Sequence, residues 1–198
     1  MSVLQEAAIP EFPDIAATPL AKPVLDPTPH RHEGRGVLIS GGTGSIGMAV
    51  ARRFVAEGAS VWIMGTSTDS VARALGETDA HGGCACDVTV EVEVDEAVAA
   101  ARERLGSIDA VFVGAGVTGE GVDVLRLSVD TFRRVVDVNL TGAFLVARAA
   151  AREMGAGGAI IFNSATVGVV AEPGQADLAA SKAGVILLAK TMALDLSP

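Results

Sequence analysis

A chain of 198 residues, 49% hydrophobic and 20% charged, carries enough apolar mass for one globular domain and its core. Its formal net charge of −9 excludes the cationic surface that nucleic acid or an acidic membrane needs, so small molecules and proteins are the expected partners. Residues 1–29 lack the basic start, apolar stretch and cleavage site of an export signal, and Lys190 and Asp195 interrupt the apolar C-terminal run. The expectation is a cytoplasmic protein without a membrane span.

Six of the eight prolines lie between Pro10 and Pro29, in a stretch with neither helical nor strand periodicity, which predicts a disordered arm over residues 1–34. The His30-Arg31-His32 triplet at its end reads as solvated linker, with an anion or metal contact as the alternative. Residues 35–198 read as one domain. Val37-Leu38-Ile39 is a strand leading into a glycine cluster, and Met48 to Val55 follows a helical period ended by Gly58. Val61-Trp62-Ile63-Met64 is a second strand, and Asp69 to Leu75 a short helix. Gly82 and Gly83 read as a loop before a short third strand, Cys84-Ala85-Cys86.

The two cysteines, with His81 nearby, are too few for a metal that wants four ligands, and read as small buried hydrophobes. Thr89 is the expected cap of a helix to about Leu105, and Ala110-Val111-Phe112-Val113 a fourth strand. Ser128, with Asp130 in the next turn, opens the longest helix, to about Met154. Ala159-Ile160-Ile161-Phe162 is a fifth strand and Ala176 to Leu196 a final helix. Short apolar strands alternate with amphipathic helices and no hairpin dipeptide joins them. That pattern predicts an α/β fold, a doubly wound parallel sheet with right-handed crossovers and helices on both faces.

Between the first strand and its helix lies Ser40-Gly41-Gly42-Thr43-Gly44-Ser45-Ile46-Gly47. Glycine lets the backbone turn sharply and approach a pyrophosphate, and the helix N-terminus offers free N–H groups and partial positive charge. Gly41, Gly42, Thr43, Gly44, Ile46 and Gly47 are therefore candidate nucleotide-binding residues, with a purely structural turn as the alternative.

The loop resembles Thr-Gly-x-x-x-Gly-x-Gly of the short-chain dehydrogenase/reductase family, with Ser40 and Ser45 as departures. Cys86-Asp87-Val88-Thr89, Val113-Gly114-Ala115-Gly116 and Val138-Asn139-Leu140 resemble further family segments in the same order, the fourth strand's end having lost both asparagines of Asn-Asn-Ala-Gly. Leu178-Ala179-Ala180-Ser181-Lys182 resembles the family's Tyr-x-x-x-Lys, yet the chain contains no tyrosine. The likeness runs from about Gly34 to the last residue and is closest in texture to 3-oxoacyl-acyl-carrier-protein reductases. It implies a Rossmann-like domain binding NAD(P), with Asp87 at the adenine, Val88 and Gly114 along the cofactor, and Thr66 beside the ribose.

No acid follows the second strand, where Gly65-Thr66-Ser67 stands, so NADP is expected, with NAD possible. The family's usual basic residues are absent, since Gly44 and Thr66 hold their positions. Carried over residue by residue, the catalytic lysine falls on Lys182, the asparagine on Asn139, the tyrosine on Leu178 and the serine on Ala165. Lys182 read without the family is a solvated helix residue, and Asn139 a satisfied polar group. Ser164, Thr166 and Asp177 neighbour the lost positions but point elsewhere on an extended segment or a helix.

Three readings follow: an oxidoreductase of ketones or alcohols with a divergent mechanism, in which water or Lys182 serves as acid; a non-catalytic dinucleotide-binding or scaffolding subunit; or a fragment of a reductase. The family's sheet continues past the final helix, whereas this chain stops at Leu196-Ser197-Pro198. A C-terminally incomplete domain with its fifth strand as an open edge is therefore expected. The helices from Ser128 and around Val185-Ile186-Leu187-Leu188 resemble the family's dimer-forming pair, implying a homo-oligomer or a hetero-oligomer with a related reductase.

Overall fold

The computed structural model describes residues 26–197, so most of the expected arm lies outside the described residues. Five strands, β1 (Gly36–Ser40), β2 (Ser60–Gly65), β3 (Gly82–Ala85), β4 (Ala110–Val113) and β5 (Ala159–Phe162), form one sheet in the order β3-β2-β1-β4-β5. Every neighbouring pair is parallel. The connecting helices are α1 (Ser45–Ala56), α2 (Thr68–Thr78), α3 (Glu91–Leu105), α4 (Val129–Val136), α5 (Gly142–Glu153) and α6 (Ala176–Leu196).

Alternation along β1 shows why the sheet is covered twice. Leu38 joins a core with Val94 and Val98 of α3, Val146 of α5 and Val185 of α6. Val37 and Ile39 point the other way, toward Ala51 of α1 and Val71 and Ala74 of α2. All five residues of β1 are buried. Each such aliphatic side chain contributes about 1.5–3 kcal/mol on burial, so the central strand anchors both layers. At β1 the winding reverses: β2 and β3 build to one side, β4 and β5 to the other. A crevice opens where the loops after β1 and β4 leave the sheet in opposite directions.

Several expectations are corrected. Gly82 and Gly83 are not loop but the first half of β3, and Cys86 lies just beyond it. A Cβ at Gly82 would sit 2.5 Å from the Trp62 ring and one at Gly83 2.5 Å from the Ile63 carbonyl, so packing against β2 demands bare backbone there. Thr89 does not cap α3: the helix starts at Glu91 after Val90, and the Thr89 hydroxyl donates to Asp87 Oδ1 at 2.8 Å. Ser128 does cap α4, accepting from Thr131 N at 3.0 Å. The rod it opens is interrupted by a π turn over Asp137–Thr141, which leaves α6, with 21 residues, the longest regular helix.

The His30-Arg31-His32 triplet is not wholly solvated. The chain folds back onto the end of α1, where His32 N donates to the Glu57 carbonyl at 2.9 Å and the His32 ring tilts over Phe54 with centroids 5.0 Å apart. Burial works to raise the Glu57 carboxyl, but hydrogen bonds from Arg53 and Thr28 and the charge of Arg31 hold it below the usual range. No helix among the described residues is long and apolar enough to cross a membrane, and no group of three His, Cys, Asp or Glu among them could hold a metal.

Candidate functional site

Two connected clefts lie at the ends of β1, β2 and β4. One, of about 370 Å³, is lined by Thr43, Met64, Gly65, Thr66, Cys86, Asp87, Val88 and Val138. The other, of about 630 Å³, is lined by Ser45, Ile46, Gly47, Asn163, Ser164, Ala165, Leu178 and Lys182. Gly41, Gly44, Gly114, Gly116 and Val117 border both. The fold thus gathers Gly41, Thr43, Gly44, Ile46, Gly47, Thr66, Asp87, Val88, Gly114 and Lys182 around one continuous crevice. Gly42 and Asn139 line neither cleft.

The glycine loop is built by close approach. Gly41 has φ +67°, and a Cβ there would lie 2.7 Å from the backbone of Gly114 and Ala115, so the β1 and β4 loops touch only because side chains are absent. Gly42 serves packing: its N–H donates to the Met64 carbonyl at 2.9 Å, and a Cβ would strike Ile63. Gly44 precedes α1 without a capping side chain, which leaves the first-turn N–H groups directed at the crevice for an anion. Ser40, a departure from the family's threonine, accepts from Gly114 N at 3.1 Å and Ala115 N at 3.4 Å, binding the two loops together.

At one end of the crevice, Asp87 Oδ1 takes both the Thr89 N–H and hydroxyl, which holds the carboxyl below the usual aspartate range. The Cys86 thiol beside it is pushed up to about 12, by burial first and then by the neighbouring Cys84, Glu93 and Asp87, so it is a neutral wall and not a nucleophile. Thr66 faces the cleft, whereas Ser67 is committed to α2, accepting from Ser70 N at 3.2 Å.

At the other end, Asn139 is 1% exposed and fully engaged. Its Oδ1 accepts from Val117 N at 2.7 Å, and its Nδ2 donates to the Val117 carbonyl at 3.0 Å and to Ser181 Oγ at 3.1 Å. The π turn sets this side chain between the β4 loop and α6, a positioning task that a regular helix register would miss. Lys182 is 7% exposed; its Nζ donates to the Asn163 carbonyl at 2.8 Å, and burial pushes its ammonium below the usual lysine range.

Leu178, one turn earlier on α6, and Ala165 line the same cleft with no polar side-chain atom between them. The neighbours do not replace them. Ser164 Oγ donates its proton to the Lys182 carbonyl at 3.0 Å, and Thr166 opens a 3-10 turn outside the cleft. Asp177 is buried against Gly119, Oδ1 accepting from Leu178 N while Oδ2 finds no partner among the described residues. Sequence reasoning missed Gly116, Val117 and Asn163 as lining residues. Gly116 carried a signal in its glycine, since a Cβ would stand 3.1 Å from Asn139 Oδ1, while Val117 and Asn163 are placed by backbone contacts that leave none.

The crevice therefore fits a dinucleotide: a loop with no room for a Cβ at Gly41, Gly42 or Gly47, an uncapped helix N-terminus, a carboxylate at one end and an amine at the other. Comparison with known proteins agrees. The short chain dehydrogenase family profile matches residues 35–198. The 2-dehydro-3-deoxy-L-rhamnonate dehydrogenase (NAD(+)) of a Sphingomonas species is 34% identical over 84% of this chain and 68% of its own. The 3-oxoacyl-acyl-carrier-protein reductase MabA of Mycobacterium tuberculosis is 36% identical over 82% and 64%. An NAD+-bound xylitol dehydrogenase superposes with a TM-score of 0.80 at 31% identity, covering 84% of this chain and 66% of its own. The chain spans about two thirds of the length of these relatives.

Proposed function

The chain belongs to the short-chain dehydrogenase family, and we propose that it binds a nicotinamide dinucleotide without performing the family's ordinary proton-coupled hydride transfer. The observation that carries this reading is the cleft beside Lys182, where Leu178 and Ala165 present only carbon. Residues 35–198 form the binding domain in this reading. Gly41, Gly44 and Gly47 bring backbone to the pyrophosphate, Asp87 accepts from the adenine, and Lys182 donates to the nicotinamide ribose. NADP is preferred over NAD, since no carboxylate follows β2 to repel a 2′-phosphate and Thr66 faces the cleft.

Hydride would come from the bound dinucleotide; reduction of a carbonyl also needs an acid to meet the growing oxyanion. A positioned acid is worth about 10² to 10⁴ in rate. With Asn139 and Ser181 hydrogen-bonded together, Ser164 turned to α6 and Asp177 beneath Gly119, the polar groups neighbouring Leu178 and Ala165 are committed elsewhere. The protein acts as a cytoplasmic dinucleotide-binding subunit, paired with its own copy or a related reductase through the α4–α6 side, where Phe132, Phe144 and Leu187 are exposed.

A reductase of divergent mechanism is the second reading, favoured by the retained Lys182. The Leu178→Tyr, Ala165→Ser double variant, assayed beside wild type with NADPH and a 3-oxoacyl thioester, separates them: turnover only in the variant supports the first, and family-like turnover in wild type the second.

A further inference from the structure

The chain has three lysines, Lys22, Lys182 and Lys190. Lys22 lies outside the described residues and Lys190 is exposed on α6, which makes Lys182 the one buried amine among the described residues. Its surroundings are unlike those of a buried cation held for stability. Among the described residues no carboxylate pairs with it, and the hydrogen bond it makes there runs to the Asn163 carbonyl. The cleft it lines includes the apolar Leu178, one turn back on the same helix face, Val117 and Ala165, together with the polar Thr118, Asn163 and Ser164. Across from it Gly116 presents bare backbone, where even a Cβ would stand 3.6 Å from Nζ, so the amine opens onto a cleft of about 630 Å³.

An amine that is desolvated, unpaired with an anion and open to a largely apolar cleft has the properties of a Schiff-base lysine. We propose that Lys182 captures an aldehyde or ketone with a small apolar substituent as a Schiff base, making this end of the cleft a covalent carbonyl-binding site. The neutral amine's lone pair attacks the carbonyl carbon, and the oxygen takes up the proton released from nitrogen to give a carbinolamine. That adduct expels its hydroxyl as water, with a proton from solvent, leaving a protonated C=N bond; amine plus carbonyl becomes imine plus water with no change of oxidation state. Leu178 matters twice, since it shields the amine from water and adds no phenol to hydrogen-bond the incoming oxygen. Capture goes beyond the dinucleotide reading and does not require a bound nucleotide.

The test uses the whole chain without nucleotide, incubated at neutral pH with butanal and sodium cyanoborohydride, then mapped by peptide mass spectrometry. The expected result is about tenfold more butyl adduct on Lys182 than on Lys190, with the preference lost in urea. The Lys182→Arg variant loses the buried adduct and keeps its circular dichroism. Labelling of Lys190 equal to or above Lys182 in the folded wild type, which needs no variant to interpret, overturns the proposal. NADP binding measured separately keeps the two ideas apart: binding without selective labelling removes the carbonyl site alone, and selective labelling without binding removes the dinucleotide reading alone.

Discussion

The glycine-loop half of the crevice and the half around Leu178 rest on the same strand ends, yet they depend on the sequence in different ways. In the first, the groups proposed to bind are backbone N–H groups at the start of α1, where Gly44 supplies no capping side chain. Replacing a family glycine with Ser45 or a threonine with Ser40 leaves those atoms in place. In the second, proton transfer would need particular side-chain oxygens, and Leu178 and Ala165 present only carbon to the cleft. On the proposed function, binding carried by main chain would tolerate drift, whereas proton transfer carried by two hydroxyls would be lost with two such substitutions.

Restoring the second half gives the largest expected change. Leu178→Tyr with Ala165→Ser should raise NADPH-dependent reduction by about 10² to 10⁴ over wild type in a steady-state assay, and no rise would show that these positions do not face the reacting carbon. Damaging the first half comes next. Gly41→Val forces a side chain into a φ of +67° against Gly114 and Ala115, and calorimetric titration should show NADP affinity falling about 100-fold; unchanged affinity would move the phosphate site elsewhere.

Lys182→Ala, at the seam between the halves, should weaken NADP about tenfold through loss of a charged hydrogen bond, read by the same titration with circular dichroism showing that the variant stays folded. The smallest effect is at Asp87. Its folded carboxyl sits below the usual aspartate value near 3.9 because Thr89 donates to it twice, so the native state binds fewer protons than the unfolded chain across that window. The interaction is complete above about pH 4 and fades as pH falls through the lowered value. The ratio of the NADP affinities of wild type and Asp87→Asn, in which titration of the ligand's own phosphate cancels, should therefore stay flat from pH 8 to about 5 at only a few-fold. A slope in that ratio would show that Asp87 takes up its proton within that range.

Most of the scaffold was legible because its signals are local. The apolar runs at 61–64, 110–113 and 159–162 became β2, β4 and β5, and Ser128 became the cap of α4. What was not legible depends on partners distant in sequence. Gly82 and Gly83 carry loop propensity, but Trp62 and Ile63 on the adjacent strand require bare backbone and turn them into β3. Thr89 looked like a cap until Asp87 claimed its hydroxyl. The π turn around Asn139 answers a demand from Val117 and Ser181, respectively 22 and 42 positions away. The site divides in the same way: the glycine loop announces itself within eight residues, while the roles of Asn163 and Val117 exist only after β4, β5 and α6 assemble.

The central claim is best tested by one fluorescence trace. NADPH is mixed with the wild-type chain and a 3-oxoacyl thioester, and its emission is followed in time. An immediate enhancement that saturates with protein and then holds steady is the predicted result. Emission that decays at a rate typical of the family's enzymes, or that never rises on mixing, contradicts it.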